Sequence, residues 1–298
     1  MIKIIQKKNN KPKPSLKMNI HKRLPEYDNG RSHKVLHASD MTKDEEFCAR
    51  EYALMDVVKA KKKGQFLGTS MKMTFDLGDA IHDLVREKWA LGESIGSWYC
   101  FKCGSVHPFQ KRPSKCGYQG CPGKHFKYRE EMFMSQDHGA TGSIDMLADF
   151  GEPLLRIVEI KSIDKDQFKE LVGPKAEHKW RTSLYLRLIE NSSHPNKKRI
   201  NLQEGLVFYV VKGYGVKDET LKAEGLKDTA FTPFKEYWVQ RDDNSTNGIW
   251  QRAIDLYDFR KNGAGMPQGI CTQAFCKRAQ SCSMHVPCWS GKYPAGAK

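Results

Sequence analysis

Long apolar runs are missing from this chain: no stretch approaches the roughly 18 apolar residues that a membrane span needs. The first residues, MIKIIQKKNNKPKP, also lack the hydrophobic run and small-residue cleavage site of a signal peptide. Both absences lead to the expectation of an intracellular, cytoplasmic protein with no membrane partner. Internal repeats are absent too. Acidic residues are comparatively scarce: 35 Asp and Glu stand against 50 Lys and Arg, a formal charge of +15. Such a balance suits a polyanionic partner, nucleic acid ahead of a membrane surface.

What is present is enough chain, at 298 residues, to bury one large domain or one domain with an insertion. Part of the basic excess is local. Residues 1–35 hold ten Lys or Arg and two acidic residues, so this segment alone carries +8. We read it as a flexible arm that touches nucleic acid backbone or aids solubility, with the folded domain spanning 36–298.

The chemistry is concentrated in two short stretches. ATGSIDM contains Asp145, and RIVEIKS contains Glu159 and Lys161. Period-two alternation puts Glu159 and Lys161 on one strand face, and Asp145 lies upstream at hairpin distance. Two carboxylates make an oxygen-rich site for Mg²⁺ or Mn²⁺. A lysine beside that metal can orient or polarise an attacking water, as metal-assisted phosphodiester hydrolysis requires. An E-x-K triplet alone is commonly a solvated strand face. Here Ile157, Val158 and Ile160 embed the charges, and unpaired ions in apolar surroundings are costly.

The nine cysteines fall into groups. Without a secretory signal they are metal ligands rather than disulfides. Cys100-x2-Cys103 and Cys116-x4-Cys121 read as a zinc ribbon over residues 97–129, with His107 and His125 as substitute ligands. Gly104, Gly117, Gly120 and Gly123 lie where turns around a metal are tight. Lys102, Lys111, Arg112, Lys115, Lys124 and Lys127 are either DNA contacts or a solvated basic surface. Cys271, Cys276, Cys282 and Cys288 crowd the segment 268–290, and Cys48 stands alone upstream. Cys48 is either an ordinary buried cysteine or the distal member of a Cys₄ iron–sulfur cluster; a second zinc site competes with that reading.

Helical periodicity over 76–91 puts His82, Val85 and Trp89 on one face, with Gly78 one turn before His82. A lone histidine in such a place is usually structural. A second helix over 177–190 aligns His178, Arg181, Tyr185 and Leu188. From it Arg181 can reach a phosphate and Tyr185 can stack on a base, although the same helix can simply pack on a sheet. Strands are expected at 205–212 and 235–240, and an amphipathic helix at 247–262. The alternation of strands and helices implies a mixed α/β core with a central sheet flanked by helices.

Taken together these motifs resemble the PD-(D/E)xK nuclease superfamily, in its RecB-like branch with an iron–sulfur cluster, the group that includes the CRISPR-associated adaptation nucleases. The resemblance covers about residues 36–288 apart from the zinc insertion. Gly78 to His82 matches G-x3-H, Gly142 to Asp145 matches G-x-x-D, and Glu159 to Lys161 matches E-x-K. Arg181 to Tyr185 occupies the Q-x3-Y position with arginine in place of glutamine.

The resemblance implies a restriction-endonuclease-like α/β core with a mixed central sheet, a zinc-ribbon insertion and a cysteine-rich C-terminal tail. It implies that His82, Asp145, Glu159 and the Ile160 carbonyl hold Mg²⁺ or Mn²⁺. Lys161 then positions the water, and Arg181 and Tyr185 lie near the DNA. It further implies a 4Fe-4S cluster on Cys48, Cys271, Cys276 and Cys282, with Cys288 as the alternate. The expected activity is a metal-dependent deoxyribonuclease, an exonuclease on single-stranded or end-containing DNA in recombination, repair or replication. A protein partner and a bacteriophage origin fit that setting. The alternative is a nuclease-like fold that binds DNA or protein without hydrolysis.

Overall fold

The computed structural model describes residues 35–42, 47–59, 69–135, 138–217 and 231–291. The basic arm expected over 1–35 therefore lies, Val35 aside, outside the described residues.

Two apolar runs, RIVEIKSI and EGLVFYVV, make the centre of the main sheet: β8 (Arg156–Ile163) and β9 (Glu204–Val211). They are parallel, with Glu159 opposite Val207 and Lys161 opposite Tyr209. Parallel neighbours need a crossover, which α4 (Lys165–Glu170) and α5 (Ala176–Glu190) provide. Helix α4 starts where it does because the Asp164 carboxylate accepts from the backbone N–H of Asp166 and Gln167, at 3.1 and 3.0 Å. The sheet continues antiparallel on both sides. Strand β12 (Phe234–Gln240) pairs with β9. On the other side β7 (Met146–Ala148) pairs with β8, and β2 (Ser94–Cys100) pairs with β7. A short ribbon of β10 (Val216–Lys217) and β11 (Phe231–Thr232) leads from β9 to β12.

A smaller sheet has the order β1 (Leu36–His37), β6 (Ala140–Ile144), β5 (Glu131–Ser135). The single turn α1 (Ala38–Met41) continues directly from β1. Strand β6 runs into β7 through Asp145, so this residue sits at the bend where the chain passes from one sheet to the other.

Both faces of the main sheet are covered. Ile157 and Leu147 pack with Leu184 and Leu188 of α5 and with Trp250 and Leu256 of α6 (Asp243–Lys261). The alternate residues Val158 and Ile160 pack on the opposite face against Ile81 and Val85. Ile81 belongs to α3 (Thr69–Leu84), which ends in a π-turn, Val85–Trp89, closed by Ala90 N–H donating to the Val85 carbonyl at 2.8 Å. The expected single face of His82, Val85 and Trp89 is broken there. Val85 is buried while Trp89 is exposed, because the wider turn rotates the residues beyond it.

The segment with the four clustered cysteines, expected as a zinc ribbon, grows out of the main sheet. The first residues of β2 pair with β7, Ser94 with Ala148 and Ile95 with Leu147. The rest of β2 pairs with β3 (Val106–Gln110) and β4 (Phe126–Arg129). Its own small core is Trp98, Phe126 and Tyr128 with the thiols of Cys100 and Cys116.

At the far side, Cys48 precedes α2 (Ala49–Val57), and the chain returns to it through α7 (Lys277–Ser281) and α8 (His285–Ser290). The Ser283 hydroxyl donates to Glu51 at 3.2 Å, and Arg278 lies 3.9 Å from the same carboxylate. Arg260 holds Asp56 at 2.7 Å. The early and late parts of the described chain are thereby pinned together.

Candidate metal centre and its surroundings

Strand alternation aims Glu159 and Lys161 to one side of β8, and the Lys161 ammonium lies 2.5 Å from Glu159 Oε1. The bend before β7 brings Asp145 to the same place. Its Oδ2 accepts from the backbone N–H of Ile160 at 2.8 Å and lies 3.8 Å from Lys161 Nζ. Lys161 also donates to the Ile160 carbonyl at 3.1 Å. From α3, His82 Nδ1 comes within 3.7 Å of Asp145 Oδ1. Asp145 thus stands between His82 and Lys161, and Glu159 joins them through the Lys161 ammonium, with the Ile160 carbonyl beside it.

Burial alone would raise the Asp145 carboxyl. Lys161, His82 and the Ile160 N–H together outweigh it and hold the group below the usual carboxylate range. Glu159 is 2 % exposed, so its charge depends on close partners. One is Lys161 and the other is Arg181, whose Nη1 donates to Glu159 Oε1 at 3.1 Å while its Nε donates to the Thr42 hydroxyl at 3.0 Å. Desolvation would weaken the Arg181 proton affinity, but Glu159 more than compensates and raises it.

On α5, Arg181 is committed to the Glu159 carboxylate, a partner that the sequence reading did not give it. Tyr185 is buried, and its hydroxyl is pushed well above its usual range by desolvation and by Glu159. A Cβ on Gly142 would lie 2.7 Å from the Tyr185 ring, so glycine in the G-x-x-D stretch lets β6 approach α5. No face of that ring is offered to a base. Gly78 is less demanding: a Cβ there would meet Ser162 at an ordinary 3.4 Å.

One acidic residue escaped the sequence reading. Glu130, between β4 and β5, offers a carboxylate oxygen that lies with an imidazole nitrogen of His82 and a carboxylate oxygen of Asp145 in a group whose ligand atoms are all within 4.8 Å of one another. Desolvation first, and then the Asp145 charge, raise its pKa. Arg86 steadies it, donating to Glu130 at 2.7 Å, to Asp83 at 2.8 Å and to the Asp145 carbonyl at 3.3 Å. The only sequence signal was the acidic pair Glu130-Glu131 closing the ribbon.

Cys100, Cys103, Cys116 and Cys121 also bring their sulfurs within 4.8 Å of one another, a donor set that can hold a tetrahedral metal. Gly104, Gly117 and Gly120 have positive φ, as the turns around the thiols need, and a Cβ on Gly123 would sit 2.7 Å from Cys100 Sγ. His107 Nε2 lies 3.2 Å from Cys116 Sγ, supporting a thiol rather than replacing one. The Ser105 hydroxyl is the main cause of a Cys103 thiol lowered to about 6, whereas at Cys121 the Gly123 N–H lowers the thiol but burial and the neighbouring thiols outweigh it and push the group up to about 11.

Four of the remaining five cysteines, Cys48, Cys271, Cys282 and Cys288, line a small cavity with Leu54 and Met284. Cys276 stands beside Cys271, and its sulfur accepts from the Ala279 N–H at 3.3 Å as the N-cap of α7. Burial pushes the Cys282 thiol up to about 11.

No family model matches the chain, and no curated protein matches it by sequence. Among solved structures, a protein designated SSO0001 is 12% identical, with 87% of this chain and 88% of that one aligned at a TM-score of 0.41. An alkaline exonuclease from Laribacter hongkongensis is 11% identical, covering 77% of this chain and 89% of its own at 0.41. The same exonuclease in complex with dAMP gives 13% identity over the same shares at 0.37. Likeness this distant assigns no activity to the chain.

Proposed function

We propose that this protein is a metal-dependent deoxyribonuclease whose centre is Asp145, Glu159, Lys161 and His82. The observation that carries the reading is their convergence from separate parts of the sequence. Two carboxylates share one ammonium, and the histidine stands on the far side of Asp145. A purely binding surface has no need of buried carboxylates gathered where phosphate would lie.

The donor set is hard oxygen with one imidazole, which suits Mg²⁺ or Mn²⁺. Asp145, Glu159, His82 and the Ile160 carbonyl would hold the cation, with Glu130 a further acidic ligand. A bound divalent ion supplies Lewis acidity and a water of lowered pKa. The protein's own residues do the rest. Arg181 fixes the orientation of the Glu159 carboxylate. Lys161, tethered to Glu159 and to the Ile160 carbonyl, keeps an N–H available to direct a water at phosphorus and to meet negative charge developing on the phosphoryl oxygens. The net charge of +15 gathers DNA with salt-sensitive, sequence-independent affinity.

Zinc held by Cys100, Cys103, Cys116 and Cys121 would be structural, since four thiolates close the coordination sphere. An iron–sulfur cluster would take Cys48, Cys271 and Cys282. The cavity lining favours Cys288 as the fourth ligand over Cys276, the reverse of the first choice from sequence spacing. Its role is to fasten α2 to the C-terminal segment.

Incubation of anaerobically purified, metal-replete protein with linear single-stranded, linear duplex and closed circular DNA tests the reading. Cleavage that needs Mg²⁺ or Mn²⁺ and spares circles identifies an exonuclease; cleaved circles would make it an endonuclease. An enzyme inert on all three removes the proposal.

A further inference from the structure

A cleft of about 640 Å³ lies between α3 with its π-turn and the four-cysteine ribbon, and the folding account leaves it unexplained. His82 and Glu130 lie in its wall, and both are grouped with Asp145, so the cleft reaches the His82 side of the candidate metal centre. The opposite wall is built by the ribbon: Tyr99 from β2, Phe101 just after it, and Lys127 and Arg129 from β4.

The ribbon is fixed to the catalytic helix rather than merely near it. The Tyr128 N–H donates to Glu87 at 2.8 Å, and the Arg86 guanidinium lies 5.1 Å from the Tyr128 ring centroid. Arg86 in turn holds Glu130. A zinc-stapled wall therefore stands at a set distance from His82.

The ribbon side of this cleft has no folding explanation. Phe101 is 62 % exposed, a costly place for a large apolar ring. It meets Tyr99 edge-on at 5.9 Å, and the Arg129 guanidinium lies 5.6 Å from the Tyr99 ring. Lys127 is largely exposed and has Asp83 at a loose 3.9 Å. An exposed ring, Phe101, and a half-buried one, Tyr99, interleaved with cations match what unpaired bases and their phosphates require. A duplex keeps its base faces stacked inside and offers these rings nothing.

We propose that a single-stranded DNA end enters through this cleft, its bases stacking on Phe101 and Tyr99 and its phosphates meeting Lys127 and Arg129, on the way to His82. The inference rests on the nuclease reading and narrows it: the zinc insertion selects the unpaired strand.

Full-length Glu159→Gln protein, zinc-loaded and with Ca²⁺ in place of Mg²⁺, is titrated with labelled oligothymidylate and with a blunt hairpin duplex. Phe101→Ala is expected to weaken the single strand by about tenfold and the duplex far less. Lys127→Ala and Arg129→Ala should each reduce the log–log salt slope for the single strand by about 0.7. A 2-aminopurine base should lose its stacking quench in Phe101→Leu and regain it in Phe101→Trp. Zinc content and melting temperature identify any variant that has misfolded. Parental affinity and salt slope in all of these folded variants would overturn the proposal. Cleavage by wild type is read separately, so a cleft that binds strands in an inert protein would sink the nuclease reading and leave this one standing.

Discussion

Arg181 stands where the resembling family carries glutamine, and its replacement by methionine separates two roles. Methionine preserves most of the aliphatic packing while removing the guanidinium that bonds Glu159 at 3.1 Å and Thr42 at 3.0 Å. Breaking a buried ion pair costs about 3–5 kcal/mol when the remaining charge is stranded. Here Lys161 stays 2.5 Å from the same Glu159 oxygen and Arg181 is 17 % exposed, so we expect about 2–3 kcal/mol. At about 2–4 °C per kcal/mol for a chain of this size, the melting temperature in chelator should fall by about 4–12 °C. Saturating Mg²⁺ should shrink that deficit. A divalent ion on Asp145 and Glu159 replaces the missing positive charge, and a ligand that binds only the folded state stabilises it further. Calorimetry with and without Mg²⁺ measures both. An equal deficit in the two buffers would refute the idea that Arg181 and the metal serve the same carboxylate, and no deficit at all would refute the anchoring role.

The same geometry sets three other outcomes. His178 is kept neutral, its pKa lowered to about 3 chiefly by burial and then by Lys161. The folded form thus binds fewer protons than the unfolded one, and the associated stability, complete above pH 6.5, is lost as pH falls from 6.5 toward 3. Urea titrations should show His178→Gln lacking about 1.5–2 kcal/mol of the wild-type decline between pH 6.5 and 5; identical declines would contradict the assignment. Glu130→Gln should lower Mn²⁺ occupancy or affinity in titration calorimetry while leaving zinc untouched, and unchanged Mn²⁺ binding would exclude it as a ligand. Cys288→Ser should lose iron, whereas Cys276→Ser should retain it; the opposite pattern would restore the choice made from spacing.

Much of the site was legible because it lies on regular elements. Alternation in RIVEIKS places Glu159 beside Lys161 without reference to any other part of the chain, and β8 obeys it. The pairing of β7 with β8, which carries Asp145 to Ile160, was within reach for the same reason. Cysteine spacing likewise encodes the ribbon knuckles locally. What failed depended on tertiary placement. Glu130 arrives through the return strand of an insertion, and nothing local says that β4 leans on the π-turn. Arg181 reads as a cation ready for phosphate until α5 packs on the sheet and turns it to Glu159. Tyr185 reads as a stacking ring until the close approach at Gly142 shows that it is core. Trp89 was placed on the His82 face by a period of 3.6 that the π-turn does not keep.

The most direct test of the central claim is single-turnover cleavage of linear DNA by wild type, Glu159→Gln and Lys161→Met under Mg²⁺. Cleavage by wild type with a loss of about 10²–10⁴-fold in each variant, at unchanged DNA affinity, is the expected result. Variants that cut as fast as wild type, or a metal-replete wild type that cuts nothing, would contradict it.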